Sequence, residues 1–314
     1  MVANAAATGA FWAGPSATRT LAELGATVIA LERPRGRPTR DLADPELPAA
    51  DVVEALFDVR MNAAKRRQTV DLRAAAGMEE ALELARRADV LVENFRPGVM
   101  ARLGLGPEAL LAVNPRLVYV SLSGFGSAGP WAAWGSYGPM IEAASSIEHR
   151  TGYADGPPLR LGHTLPDGIG GLVGALAAVR GLRERTSTGR GGWYDISQLE
   201  AYVAASGEEV LAADLHGSVR PRSGNQHAGA VLQCAGTDEW VAVGATAEAE
   251  IAARVALMTK EAAAAWLQAL GFEAAPVLSA AELAVDRHLR ARGALTTIDI
   301  HGRRVTLPRH PLRP

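Results

Sequence analysis

At 314 residues the chain is long enough for two structural units rather than one small domain. Apolar residues make up 48% and charged residues 21%, which excludes a disordered or fibrous chain. A formal net charge of −2 excludes a global field that would gather nucleic acid or an anionic membrane, and the single cysteine, Cys234, excludes an internal disulfide. No charged-apolar-small leader opens the chain, and Gly, Glu or Arg breaks its longest apolar stretches. A cytoplasmic protein with small-molecule partners, no nucleic acid and no membrane is the expectation.

In chain order, β-branched runs predict strands over 27–31, 90–93 and 117–122, with segments of helical period between them. The segment 74–87 predicts an amphipathic helix, with Met78, Ala81, Leu82 and Ala85 at helical spacing, leading directly into the strand at Val90. This βαβ pattern implies a parallel sheet with helices on its faces. Two helices are expected over 168–185 and 196–215, joined by the Gly-rich basic turn 187–192. A loop over 222–226, a strand over 240–243 and an Ala-rich helix over 260–270 follow, and 295–307 alternates as a hairpin does.

Several motifs carry chemistry, each with a plainer alternative. Asn94-Phe95-Arg96-Pro97-Gly98 follows a strand and places an amide and a guanidinium where open α/β sheets bind ligands, or else forms a solvated turn. Arg33, Arg35, Arg37 and Arg40 follow another strand end and form either a phosphate clamp or a soluble surface. Ser123-Gly124-Phe125-Gly126 lets backbone N–H groups approach a ligand, but lacks the spacing of a dinucleotide fingerprint or a P-loop.

Asp167 precedes Gly168-Ile169-Gly170-Gly171 at a helix start. It is either an N-cap worth about 1 kcal/mol or a nucleophilic carboxylate kept ionised by the helix terminus, with small neighbours admitting a substrate. His163 lies four residues earlier, but the seven histidines form no zinc-like cluster, so no metal is expected. Cys234 reads as a buried structural thiol, and Trp131 and Trp134 as an adenine stack or as core or lid packing.

In order, Ala13-Gly14-Pro15, Leu24-Gly25-Ala26, Glu32-Arg33-Pro34, residues 62–65, Glu93 to Gly98, Gly104-Leu105-Gly106 and Asn114-Pro115-Arg116-Leu117 resemble the class III CoA-transferase family. Ser123 to Gly126 with Gly129-Pro130, Pro166-Asp167, Thr188 to Gly191 and Gly224-Asn225 extend the match over nearly the whole chain. The family also holds carnitine and bile-acid CoA-transferases and α-methylacyl-CoA racemases. The resemblance implies an α/β fold: a Rossmann-like large domain with a parallel sheet, a smaller α+β domain, and an interlocked homodimer. The expected division is a large CoA-binding domain over 1–190, a linker helix over 191–220, a small domain over 221–285 and a returning segment over 286–314.

By the same resemblance, Asp167 attacks the thioester of an acyl-CoA, and CoA passes to a carboxylic acid through an aspartyl anhydride and an aspartyl-CoA thioester. Arg33, Asn62, Lys65, Asn94, Phe95 and Arg96 are implied contacts to CoA, with Tyr137 beside them, while Ser123, Gly124 and Gly126 line the thioester. The racemase branch has a His-Asp pair where Tyr137-Gly138 stands here and a glutamate where Ala247 stands, so 2-methylacyl-CoA racemisation is disfavoured. Relatives begin with a strand before the Ala-Gly-Pro turn, whereas residues 1–11 are Ala-rich. A missing or degraded first strand, an abbreviated small domain and no closing helix are therefore expected, and with them the alternative of a catalytically impaired CoA-binding homologue.

Overall fold

The computed structural model describes residues 2–5, 12–34, 48–62, 64–217, 222, 229–244, 249–300, 303–309 and 311. Arg35, Arg37, Arg40, Gly224, Asn225 and Ala247 lie outside the described residues.

The chain opens with β1 (Val2–Ala5), α1 (Ala13–Glu23), β2 (Val28–Glu32), α2 (Ala49–Asn62), β3 (Arg66–Thr69), α3 (Ala75–Arg87) and β4 (Val90–Glu93). It continues through α4 (Val99–Arg102), α5 (Pro107–Val113), β5 (Val118–Ser123), α6 (Gly138–Ala144), α7 (Ile147–Arg150), α8 (Leu165–Thr188), β6 (Gly192–Ser197), α9 (Gln198–Ala205) and α10 (Glu208–His216). The six strands form one parallel sheet in the order β3-β2-β1-β4-β5-β6, the Rossmann-like order.

Strands β4 and β5 are buried along their whole length, as expected of a parallel sheet covered on both faces. Their period-2 alternation sends Val90, Val92, Val118, Val120 and Leu122 into one core with Ala17, Leu21 and Ala178. Leu91 and Tyr119 point the other way, into a second core with Ala81, Ala85, Met100, Leu105 and Leu110.

The first strand expected to be missing is present. Sequence β1 pairs with both β2 and β4, so ladder hydrogen bonds on both sides offset the weak strand propensity of its alanines. The helix expected over 196–215 is corrected as well: β6 adds the sheet's edge strand, and the helical part breaks at Ser206 and Gly207 into α9 and α10. The segment expected as a linker from 191 thus opens as part of the sheet. Helix α8, by length and composition alone, is long and apolar enough to cross a membrane, at 24 residues and a hydropathy of 1.2. Its leucines, valines and Ile169 supply most of that apolar character, interrupted by glycines and Arg180, and its small-residue face packs on the sheet and α1.

The remaining elements are β7 (Ala230–Gln233), β8 (Trp240–Val243), α11 (Ala249–Val255), α12 (Lys260–Ala269), β9 (Ala274–Pro276), α13 (Ala280–Val285), α14 (Arg287–Ala291), β10 (Leu295–Ile300) and β11 (Arg303–Pro308). Two compact units result. One comprises Met1–Ile147, Arg160–Val219 and Thr297–Pro314, the other Glu148–Leu159 and Arg220–Thr296. In the second, the antiparallel sheet β7-β8-β9 packs on α11 and α12, and Cys234 lies in this core, where burial raises its thiol pKa. Buried Lys260 is held there by Glu239 at 3.0 Å and Glu282 at 2.6 Å. Strands β10 and β11 form the expected two-stranded sheet.

Candidate active site

Strand order reverses between β1 and β4, and open α/β sheets bind ligands beyond the carboxyl ends of the strands at such a point. Asn94, just past β4, ties this place together. Its Oδ1 accepts the Gly14 N–H at 3.2 Å, one of the otherwise unpaired donors at the start of α1, and its Nδ2 donates to Leu122 O at 2.7 Å. A side chain at Gly14 would run into the Asn94 Cβ. Glu93 fixes the same loop by accepting the Phe95 N–H at 2.8 Å, and burial pushes its carboxyl up to about 7.

A cavity of about 190 Å³ opens at this sheet edge. Asn94, Phe95 and Arg96 line it from the end of β4, Ser123, Gly124 and Phe125 from the end of β5, and Trp134, Ser136, Tyr137 and Gly138 from the approach to α6. Asp167 and Gln198 complete the wall, with Trp12 beside them. The cavity thus gathers Asp167, Asn94, Phe95, Arg96, Ser123, Gly124 and Tyr137 from the sequence-based set. Trp134 is shared with an aromatic cluster in which it stacks on Trp131, the centroids 5.1 Å apart, with Phe125 edge-on to both.

Asp167 is not an N-cap. Thr164 holds that position, and Asp167 occupies the third residue of α8, after Leu165 and Pro166. The polar side chains of Gln198 and Thr164 lie beside its carboxylate and favour the ionised form. Burial, and then repulsion from Glu142, push its pKa up to about 6, so desolvation outweighs the helix terminus that was expected to hold it low. Glu142 is itself 1% exposed, on α6. A methyl group at Gly138 would overlap both Asp167 Oδ2 and the Thr164 side chain, so the backbone of α6 touches the carboxylate directly. The small residues after Asp167 are for the most part packing positions: Gly170 abuts Gln198 and Gly171 abuts Ser16, while Gly168 has open space beside it.

Four of the expected contacts lie off the cavity wall. Arg33 is exposed just past β2. Lys65 Nζ donates to Pro15 O at 2.9 Å and to Asn62 Oδ1 at 3.0 Å, while Asn62 Nδ2 reaches Asp58 at 2.9 Å. These two residues therefore brace the start of α1, and burial, seconded by Arg19, brings the Lys65 ammonium down to about 7. Gly126 makes the turn after β5 at φ 82°.

Sequence reasoning missed Gln198, Thr164, Trp12 and Glu142. Gln198 was findable, because Trp193-Tyr194-Asp195-Ile196 reads as a strand, and its carboxyl end falls at Ser197-Gln198. Two oxygens here, Ser123 Oγ and Gln198 Oε1, are buried without a hydrogen-bond partner among the described residues. Such groups are rare in folded proteins and suit a ligand.

The sequence model of CoA-transferase family III matches residues 6–264. The chain belongs to CoA-transferase family III. Among the relatives, an acetyl-CoA:oxalate CoA-transferase of Acetobacter aceti is 38% identical over 216 residues, covering 68% of this chain and 54% of that protein. A succinyl-CoA–D-citramalate CoA-transferase of Chloroflexus aurantiacus is 35% identical over 218 residues, covering 69% and 53%. The family III chain here thus spans about half the length of the curated relatives it matches. The crystal structure of a CaiB/BaiF family protein from Brucella suis superposes with a TM-score of 0.83 at 28% identity, covering 99% of this chain and 91% of that one. A Mycobacterium tuberculosis protein, TM-score 0.79 at 23% identity, shares the fold.

Proposed function

We propose that this chain moves CoA from an acyl-CoA donor to a carboxylic acid acceptor, with Asp167 as the nucleophile. One observation carries the reading: Asp167 is the single carboxylate lining the cavity among the described residues, oriented by Gln198 and Thr164. An Asp167 oxygen attacks the thioester carbonyl, the C–S bond breaks, and an aspartyl anhydride and CoA thiolate form. The thiolate attacks the aspartyl carbonyl and releases the donor acid as its carboxylate. An acceptor carboxylate then attacks the aspartyl-CoA thioester, and the freed thiolate takes the new acyl group, restoring the Asp167 carboxylate. The Ser123 hydroxyl is free to donate to the oxyanion formed at each attack. Transfer fits better than isomerisation at an α-carbon, which needs bases on both faces, because no histidine and no second carboxylate lines the cavity among the described residues.

CoA's pantetheine arm would leave along Asn94 and Phe95. Its phosphates would reach toward Arg33, two strand spacings away across β1, about 10 Å. Asn62 and Lys65 would act by holding the start of α1. The decisive experiment incubates the full chain with acyl-CoA and searches Asp167 by mass spectrometry for an acyl or CoA adduct. Adduct on another residue, or none during measurable exchange, removes Asp167 as nucleophile.

A pH profile follows from the charge state. Only the ionised carboxylate attacks, so exchange should be level above a pKa of about 6 and fall tenfold per pH unit below it. The linkage to folding has the opposite sense. A folded pKa raised above the usual carboxylate value gives stability that is full below the unfolded pKa and lost as pH rises through about 6. Asp167→Asn should therefore melt higher than the parent at pH 7, by at most about 3 kcal/mol and by less where cavity solvent screens the charge. An unchanged melting temperature would contradict the burial argument.

A homodimer is part of the proposal, supported by an apolar stripe on α8. Leu165, Leu172, Leu176 and Val179 recur at helical spacing and are 39%, 55%, 66% and 47% exposed. Leu176→Glu should convert a dimer to a monomer in sedimentation velocity, and an unchanged profile would place the interface elsewhere.

A further inference from the structure

Glu93 is a buried carboxyl group that the transfer chemistry does not use. It is 8% exposed, does not line the cavity, and pairs with no cation among the described residues. Burying a carboxylate without a counter-charge is costly unless hydrogen bonds compensate it, so what Glu93 touches matters.

Strand period sends Glu93 to the sheet face of Leu91 and Tyr119, away from α1 and α8. In the ladders Glu93 stands opposite Ser121, and Ser121 opposite Asp195, so the three form one row across β4, β5 and β6. The Ser121 side chain lies beside the Glu93 carboxylate and favours its ionised form, while its Oγ accepts the Trp193 indole N–H at 3.0 Å. Glu93 in turn accepts the Phe95 N–H at 2.8 Å. Asn94, between the two, is held from the opposite face through Gly14 and Leu122. Two successive residues of the cavity wall are thus pinned from the two faces of the sheet, Asn94 by its own amide and Phe95 by the carboxylate of Glu93.

We propose that Glu93 is a positioning residue for CoA: its carboxylate fixes the Phe95 peptide so that the Asn94-Phe95 wall meets the pantetheine arm, and it touches neither CoA nor the reacting acid. The assignment rests on the proposed course of the CoA arm and not on Asp167 as the nucleophile. An ionised acceptor holds an N–H more strongly than a neutral one. Burial, and then the charge of Asp195 on β6, bring the Glu93 carboxyl up to about 7, with the Tyr119 phenol facing it from β5. CoA affinity should therefore be full above about 7 and weaken as pH falls through that value.

Dephospho-CoA is the probe, because it lacks the 3′-phosphate, a monoester that itself titrates near about 6. Titrated calorimetrically into the full chain at pH 8, it should bind Glu93→Ala at least about tenfold more weakly than the parent. Glu93→Gln keeps an acceptor for the Phe95 N–H and should lose only about threefold. At pH 6 the parent and Glu93→Gln should agree, since both then present a neutral group. Asp195→Asn should move that convergence to lower pH, because the repelling charge is gone. In exchange assays the loss should appear in KM for acyl-CoA and not in kcat. If Glu93→Ala does not fold, the comparison of the parent with Glu93→Gln across pH decides. Parental affinity in a folded Glu93→Ala, or a gap to Glu93→Gln that is the same at pH 6 and pH 8, would overturn the proposal and leave the transferase reading intact. A parent chain that binds no dephospho-CoA at either pH would overturn both. Binding that follows the expected pattern in a chain that exchanges nothing would uphold Glu93 and defeat the transferase reading.

Discussion

CoA exchange by an Asp167→Ala variant should fall on the order of 10⁴-fold or more, with no covalent adduct accumulating. No other carboxylate lines the cavity among the described residues. Glu142 is the nearest acid named by its effect on Asp167, but it is 1% exposed and does not line the chamber. Water cannot conserve the thioester's energy, so any residual reaction would be hydrolysis and would appear as free acid without acyl-CoA exchange. The fold should survive: the aspartate fills the third position of α8 and not its cap, and its removal relieves a charge that burial already disfavours. Melting curves and labelled-CoA exchange on the same preparation separate the two effects. Exchange at the parental rate would reassign the chemistry to another residue.

A single methyl group at Gly138 should cost exchange at least about 100-fold while leaving CoA affinity within a few-fold of the parent. In Gly138→Ala the new Cβ overlaps Asp167 Oδ2 and the Thr164 side chain. The carboxylate must then swing away from Thr164, one of the two groups that orient it. Displacing a reacting atom by about 1 Å is enough to lose two orders of magnitude, because attack requires aligned orbitals at near-contact distance. On the proposed path the CoA arm would run past Asn94 and Phe95, which line another part of the wall. Equal losses in exchange rate and CoA affinity would mean that the methyl group closes the chamber rather than misplacing the nucleophile. An unaffected rate would mean that Asp167 does not need its observed orientation.

Legibility in the sequence followed burial. Strands β4 and β5 are continuous apolar runs, because both faces of a parallel sheet are covered, and their ends led to Asn94, Phe95, Arg96, Ser123 and Gly124. Sheet edges were harder to read. Strand β3, Arg66–Thr69, is polar and largely exposed, and β6 follows a Gly-rich turn that reads as a break before a helix. The alanines of β1 hid a central strand whose stability comes from its two neighbours rather than from its own residues.

Motif order and residue type alone determined the family and the parallel sheet, and singled out the carboxylate proposed as the nucleophile. They did so because strand period, turn glycines and a Pro-Asp helix start are local signals, carried by adjacent residues. The tertiary structure decided what surrounds that carboxylate. Gln198 on α9 and Gly138 and Glu142 on α6 reach Asp167 from two other elements, and Asn94 uses its amide on Gly14 and Leu122. Burial raises the Asp167 pKa to about 6 against the pull of its own helix. Desolvation depends on everything packed around a group, whereas a helix terminus acts through its own first turn, and only folding brings the two into competition.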